Sequence, residues 1–266
     1  MPLAVCATPI GNLEDVTLRV LRELREADTV LCEDTRHTRK LLERHGIRAR
    51  LVSYHEHNEA KRTAEVLPQL AAGERIALVS DAGLPGISDP GARLVAAALE
   101  AGVEVSVLPG PSAVETALIA SGLVAERYQF LGYLPRGERA LLTLGEELAR
   151  WPHAVVAFES PQRLAMSLRV LARVVPDRPA AVCRELTKRF EEVARGSVGE
   201  LAARVREAKG EITLVLGMAP ALEPEDEAAH DAVAELLAAG VSRRQAAELV
   251  SRLTGVARNQ LYRTSL

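Results

Sequence analysis

Cysteine is scarce in this chain. Cys6, Cys32 and Cys183 are too few for a disulfide framework, and each lies in an apolar run, so they are expected to be core thiols of a reducing compartment. No stretch approaches 18 uninterrupted apolar residues, so no membrane-spanning segment is predicted. The opening MPLAVCATPIG lacks a basic n-region and has only a short apolar run, which is not the pattern of a signal peptide. A soluble cytoplasmic protein is expected. An excess of one charge sign is also missing: 33 basic against 36 acidic residues leave −3, which excludes a wholesale basic coat but not a local basic face. No G-x-G-x-x-G follows the first strand and no G-x-x-x-x-G-K-[ST] occurs anywhere, so neither a dinucleotide fingerprint nor a P-loop is indicated.

What remains is a chain of 266 residues, 48% hydrophobic, long enough to bury a core without metal or disulfide staples. Apolar runs alternate with amphipathic stretches over residues 1–122: LAVCAT, TVLC, ARLVSY, RIALVSD and VEVSVLPG read as strands, with helices between them. That alternation predicts an α/β domain with a mostly parallel five-stranded sheet. Pro111 suits the first position of the helix that ends near Gly122. Residues 123–219 repeat the grammar with two long helices ahead of closely spaced strands, which predicts a mixed sheet. After the acidic, proline-containing linker APALEPEDE, residues 226–266 read as a small basic helical domain, with Ser242 and Gln245 in a capping-box pattern.

The densest chemical signal is SDAGLPGISDPG, Ser80 to Gly91. Its glycines and prolines let the backbone turn sharply and approach a ligand, and it sits where a parallel strand ends. Crossover loops usually run about 2 to 6 residues, so this longer one needs a purpose beyond connection. Asp81, at the strand tip, suits ribose hydroxyls or a cation. LPGPSA closes the next strand, where free helix amides can receive a carboxylate or a base edge. ATPIGNLED supplies a third turn after the first strand.

ATPIGNLED, CEDTR, SYHEHNE, SDAGLPGISDPG, LPGPSA, FES, CREL and GEITLVLG, in this order, resemble the tetrapyrrole-methylase-like (class III) S-adenosylmethionine-dependent methyltransferases, and within them the branch acting on 16S ribosomal RNA. The resemblance covers essentially the whole chain. It implies two α/β domains with S-adenosylmethionine in the cleft between them, a homodimer, and methylation of the ribose 2′-hydroxyl of a decoding-centre cytidine in the small ribosomal subunit. Carried over by motif, the cofactor contacts would be Pro9, Asp81, Ala82, Gly83, Leu84, Ser112, Ala113 and Phe158, with Glu185–Leu186 and Glu211–Thr213 as the far wall.

Methyl transfer from a sulfonium is an in-line displacement in which alignment does much of the work and no metal is needed. A ribose hydroxyl is a poor nucleophile, so a base or a stabilising cation is expected nearby. Candidates are Asp34, His55, Glu56 and Lys188, within polar clusters that also hold Glu33, Arg36, His37, Tyr54, His57, Arg184 and Glu185. Asp34 suits a helix N-cap equally well. The spacing of His55, Glu56 and His57 matches no standard zinc pattern, so no metal is expected. Between residues 36 and 50, Arg36, Arg39, Lys40, Arg44, Arg48 and Arg50 stand against Glu43 alone, a local basic face suited to RNA phosphates. Arg243 and Arg244 mark a second such face in the helical tail, and Tyr54, Tyr133 and Tyr262 are candidate base-stacking rings. Two alternatives stand beside this reading: a methyltransferase of small tetrapyrrole-like molecules, and a non-catalytic RNA-binding or ribosome-assembly factor.

Overall fold

Short runs of Val, Leu, Ile, Ala and Cys become strands buried on both faces in the first half of the chain. The computed structural model describes residues 2–219 and 226–264. Positions 220–225 of the expected linker and the Arg263 side chain lie outside the described residues. The elements run β1 (Leu3–Cys6), α1 (Leu18–Glu26), β2 (Thr29–Cys32), α2 (Thr35–Arg44), β3 (Leu51–Ser53), α3 (Glu59–Ala71), β4 (Ile76–Leu78), α4 (Ala92–Glu100), β5 (Val105–Leu108) and α5 (Ala113–Ser121). The sheet is wholly parallel in the order β3-β2-β4-β1-β5. Every residue of β1, β2 and β4 is buried, as central strands with helices on both faces require. Ala4, Cys6, Val30 and Cys32 pack against Val20, Leu24, Leu41 and Leu42 of α1 and α2. On the other face Leu3, Val5 and Leu31 pack against Val66, Leu70 and Leu94 of α3 and α4. Burial pushes the Cys6 thiol up to about 12, as expected of an inert core thiol.

The strand order creates a crevice. From the tip of β1 the chain leaves past β4 toward β2, and from the tip of β4 it leaves past β1 toward β5. Right-handed crossovers travelling in opposite directions lie on opposite faces, so the two connections part between neighbouring strands.

The second sheet is built from β6 (Tyr128–Tyr133), β7 (Ala154–Glu159), β8 (Pro179–Arg184), β9 (Glu192–Ser197) and β10 (Ile212–Leu216), with α6 (Glu138–Arg150), α7 (Pro161–Leu171) and α8 (Val198–Arg204). Its order is β6-β7-β10-β8-β9; only β6 and β7 pair in parallel, which is the mixed sheet expected. The face away from these helices receives Val114, Ala117 and Leu118 of α5 against Val156, Ala181 and Val215, so α5 joins the two sheets. One expectation is corrected here. Pro111 is not the first helical residue: Ser112 stays extended (φ −139°, ψ 125°) as the N-cap, so α5 begins at Ala113.

Residues 1–219 form one compact unit and residues 220–266 another. In the second, α9 (Asp226–Ala238), α10 (Arg243–Thr254) and α11 (Arg258–Thr264) enclose Ala229, Val233, Ala246, Val250, Val256 and Leu261. Ser242 caps α10 by accepting the Gln245 N–H at 3.4 Å. Among the described residues no helix is long and apolar enough to cross a membrane.

Arg178 is the largest fully buried side chain. Its Nε donates to the Gly217 carbonyl at 2.9 Å, Nη2 to His153 at 2.6 Å, and Nη1 to Leu148, tying the end of β10 to the end of α6 and the approach to β7. Arg178→Met is expected to lower unfolding stability by about 3 kcal/mol, because buried carbonyls lose their donors; chemical denaturation reads this, and a loss below about 1 kcal/mol would contradict the assignment.

Candidate functional site

Where the chain parts at β1 and β4, the two corners are held against each other by their own backbone. Thr8 N–H donates to the Gly83 carbonyl at 2.8 Å and Gly83 N–H returns a bond to Thr8 at 3.0 Å. The Thr8 hydroxyl donates to the Ser80 carbonyl at 3.0 Å, and the Ser80 hydroxyl to Ala82 at 3.2 Å. Gly83 has φ +77°, open to glycine without strain, and a Cβ there would meet nothing nearer than the Pro111 carbonyl at 3.9 Å. That is ordinary van der Waals contact, so the backbone angle rather than crowding favours glycine here. A Cβ on Gly110 would lie 2.9 Å from that of Ala7, so only glycine lets the β5 corner pass the β1 corner.

These corners and the second sheet enclose a cleft of 510 Å³. Ile10, Leu84 and Val114 line it from the first half, and Phe130, Tyr133, Phe158 and Thr213 from the second. The Phe158 ring meets Phe130 edge-on at 5.0 Å and Tyr133 at 5.6 Å. Ser112 makes no side-chain cap on α5, because its hydroxyl donates to the Glu115 carboxylate, which also accepts Tyr128 Oη–H at 2.7 Å. The first-turn amides of α5 therefore face the cleft without that cap. A smaller, polar compartment of 220 Å³ shares Ile10, Ala82 and Glu211 with the cleft and is lined by Thr8, Gly11, His37, Asp81 and Lys188.

The residues nominated for the cofactor divide between these spaces. Pro9 and Asp81 line the polar compartment; Gly83, Leu84, Ser112, Ala113, Phe158 and Thr213 line the cleft; Ala82 lines both. Glu185 and Leu186 line neither. Leu186 is buried with Ile10 behind the wall, and the Glu185 carboxylate accepts from Lys188 Nζ and from the Glu211 amide, each at 2.9 Å.

The catalytic candidates are not brought together. Lys188 reaches the polar compartment, where burial alone would lower its pKa; the Glu185 and Glu211 carboxylates outweigh that and raise it, so the amine stays a cation. Asp34 caps α2 by accepting the Arg36 amide at 2.8 Å. The Arg36 guanidinium, 2.7 Å away, and that amide hold the Asp34 carboxyl well below the usual carboxylate range, which makes it a poor base. Its own amide donates to Asp81 Oδ1 at 3.1 Å, fixing the Asp81 carboxylate. His55 and Glu56 follow β3, the edge strand, and line neither space; His55 Nε2 faces Asn58 Nδ2 at 3.1 Å and Glu56 is exposed. Among the described residues no cluster of His, Cys, Asp and Glu is arranged to hold a metal. Tyr54 does not serve as a stacking ring: it is buried, bonded to Glu59 and Thr63, and pushed up to about 12 by burial.

Sequence reasoning missed Asp89, Ile10, Glu115, Tyr128 and Phe130, all of which line the cleft. Asp89 lies inside the quoted loop, directly after Ser88 at φ +61°, so a signal was present. Burial, then the nearby Glu33 and Asp81 charges, push its carboxyl up to about 6. Glu33 is likewise raised, by burial and by Asp81.

The basic face borders the polar compartment, since His37, Thr38 and Leu41 of α2 line it. Arg36 is tied to Asp34, and Arg44 to Glu14 at 2.9 Å. Arg39, Lys40 and Arg48 are exposed and have no ion-pair partner among the described residues. In the second unit Arg243 and Arg244 occupy the first turn of α10, with the Arg243 guanidinium 5.9 Å from the centre of the Tyr262 ring.

A family model described as tetrapyrrole (corrin/porphyrin) methylases matches residues 2–202, and one described as the RsmI C-terminal HTH domain matches residues 224–266. Ribosomal RNA small subunit methyltransferase I of Mycobacterium bovis is 46% identical over 98% of this chain and 93% of that protein. The protein of the same name from Micromonospora olivasterospora is 45% identical over 98% of this chain and 85% of its own length. Among solved structures, uroporphyrin-III C-methyltransferase from Thermus thermophilus complexed with S-adenosylhomocysteine aligns with TM-score 0.56 at 22% identity, over 81% of this chain and 96% of that one. At that identity the likeness is one of fold.

Asp89 offers a check on the cleft's electrostatics. Its folded pKa of about 6 exceeds the ordinary value of 3.8, so the protonated form favours folding, and that contribution fades as pH rises through about 6. Asp89→Asn is expected to melt above the parent protein at pH 8, with the difference closing by pH 4. A variant less stable at pH 8, or a gap that does not narrow on acidification, would contradict the burial of this carboxylate.

Proposed function

This chain belongs to the tetrapyrrole (corrin/porphyrin) methylase family, and on that premise we propose that it methylates the ribose 2′-hydroxyl of a decoding-centre cytidine in 16S ribosomal RNA. Its curated relatives carry the name ribosomal RNA small subunit methyltransferase I, and the coarser activity, S-adenosylmethionine-dependent methylation of small-subunit ribosomal RNA, follows from them. The observation that favours an RNA substrate is that α2, which carries exposed cations, lines the polar compartment adjoining the cleft. A polyanionic substrate needs those cations and a small molecule does not.

The cleft fits the cofactor. The Gly83 corner lines it without a side chain, the amides of Ser112 and Ala113 at the start of α5 suit a base edge or a carboxylate, and the rings of Phe130 and Phe158 suit a nucleoside face. Asp81, fixed by the Asp34 amide, is the acceptor for ribose hydroxyls, and the carboxylates around Asp89 suit a sulfonium cation. When bound, S-adenosylmethionine supplies a methyl group on positively charged sulfur for in-line displacement by a ribose oxygen.

The remaining work falls to the chain's own groups. Asp89 accepts the hydroxyl proton: at a pKa of about 6 it is ionised at neutral pH, yet more basic than an ordinary carboxylate. Lys188 ties Glu185 and Glu211 to the cleft floor. Arg36, Arg39, Lys40, Arg44 and Arg48 meet phosphates, while Arg243 and Arg244 clamp RNA from the helical domain. In this division of labour residues 1–122 carry the cofactor and RNA face, 123–219 complete the cleft and 226–266 add the clamp. The protein works in the cytoplasm and pairs as a homodimer, and for the pairing the support is Val107 on the edge strand β5 and Ile119 on α5, both exposed.

The test is transfer of labelled methyl from the cofactor to unmethylated 30S subunits, followed by nuclease mapping of the modified nucleotide. Label on a cytidine 2′-oxygen is expected. Asp89→Asn should lower kcat by about 100-fold and remove the rise in rate between pH 5 and 7. Label on a base atom, or none on RNA, would overturn the reading.

A further inference from the structure

Of the three phenylalanines in this chain, two line the cleft. The third, Phe190, is 64% exposed at the tip of the β8–β9 connection, with the Arg189 guanidinium 5.5 Å from its ring centre. A single exposed apolar side chain is ordinary on a protein surface, so Phe190 gains meaning only from its setting. Three features of the structure supply one. The connection is held rigid rather than left as a loose loop: the Glu191 carboxylate accepts the Thr187 amide at 2.5 Å, and Glu192 accepts Arg184 Nη2 at 2.9 Å. Glu185 (φ +51°) and Thr187 (φ +65°) sit in the left-handed region that side chains other than glycine rarely adopt, so the backbone there is strained, as it often is at functional sites. Glu185, Lys188 and Glu211 brace the base of the connection from inside.

Through Lys188 the connection also reaches the polar compartment beside the cleft. Lys188 lines that compartment together with His37, Thr38 and Leu41 of α2, and Gly11 packs so closely that a Cβ there would lie 2.7 Å from the Leu186 carbonyl. The compartment is thus flanked by the basic helix α2 and by the turn carrying Arg189 and Phe190. Arg189 has no ion-pair partner among the described residues, so its charge is available to an anion.

We propose that Arg189 and Phe190 form a stacking platform that holds an unpaired base of the RNA next to the nucleotide undergoing methylation, opposite the phosphate-facing cations of α2. An aromatic ring under a guanidinium suits a nucleobase stacked over a phosphodiester, and every base presents a π-face, so the platform positions the strand without selecting its sequence. The inference rests on the rRNA-methylating reading above and adds to it the means by which single-stranded RNA is fixed at the cleft mouth.

The experiment uses the full-length protein with unmethylated 30S subunits. Phe190→Ala is expected to raise KM for the subunits by about tenfold, with kcat little changed and calorimetric affinity for S-adenosylmethionine unaltered. Phe190→Trp should restore KM, which a merely structural role of the ring would not predict. A photo-reactive phenylalanine at 190 should cross-link to 16S RNA near the methylated nucleotide. Unchanged KM in Phe190→Ala, failure of Trp to rescue, or cross-links confined to ribosomal proteins would overturn the platform while parent-enzyme activity on subunits leaves the function intact. Loss of all RNA methylation by the parent protein would instead strike the function itself.

Discussion

Two backbone hydrogen bonds between Thr8 and Gly83 hold the corner after β1 against the corner after β4. They close a short antiparallel bridge just beyond two parallel strands whose onward connections travel to opposite faces of the sheet. Without that bridge the two glycine-rich corners would be free loops. With it, Asp81, Ala82 and Gly83 are presented to the cleft in one arrangement, and Asp34, capping the next helix, reaches back through its amide to fix the Asp81 carboxylate. Binding to a preformed corner avoids the entropy of ordering a loop at the moment of association.

α5 carries that arrangement into the second half of the molecule. Its apolar face packs on the second sheet, while its uncapped first turn opens on the cleft that the two sheets share. The rings of Phe130, Tyr133 and Phe158 line the larger space together with the Asp89 and Glu115 carboxylates, Asp81, His37 and Lys188 line the smaller, and Glu211 lines both. Two signs of charge meet here: the Asp81 and Asp89 carboxylates line the two spaces, and exposed cations stand on α2, which lines the smaller one. A cationic donor and a polyanionic acceptor are the reactants such a field sorts into place.

Most of the fold was legible because both periodicities were clean. TVLC is β2, Glu138–Arg150 is α6, and the parallel and mixed sheets are those expected. Boundaries slipped where chain direction outweighed local preference, as at Pro111, which the extended Ser112 keeps out of α5. The strand-tip loops were legible as corners of a cleft because Gly and Pro at such spacing suit tight turns at strand ends, and all three corners line the two spaces. Their partners were not. Asp89 gains its character first from burial and then from the charges of Glu33, on another strand tip far off in sequence, and of Asp81 in the same loop. His55 and Glu56 looked as polar as any site residue, but they follow an edge strand and so fall outside the cleft, and the same polar stretch hid that Tyr54 points into the core. Phe130 and Tyr128 stand on the first strand of the second sheet, and no local pattern distinguishes a cleft-facing ring there from a core ring.

On the proposed function the methyl donor sits between the β1, β4 and β5 corners, and amide hydrogen exchange with and without S-adenosylmethionine probes that placement. The cofactor should slow exchange at residues 80–84 and 112–116 and leave residues 192–209, on the far side of the second sheet, unchanged. Protection confined to that far side, or no protection under saturating cofactor, would contradict the account.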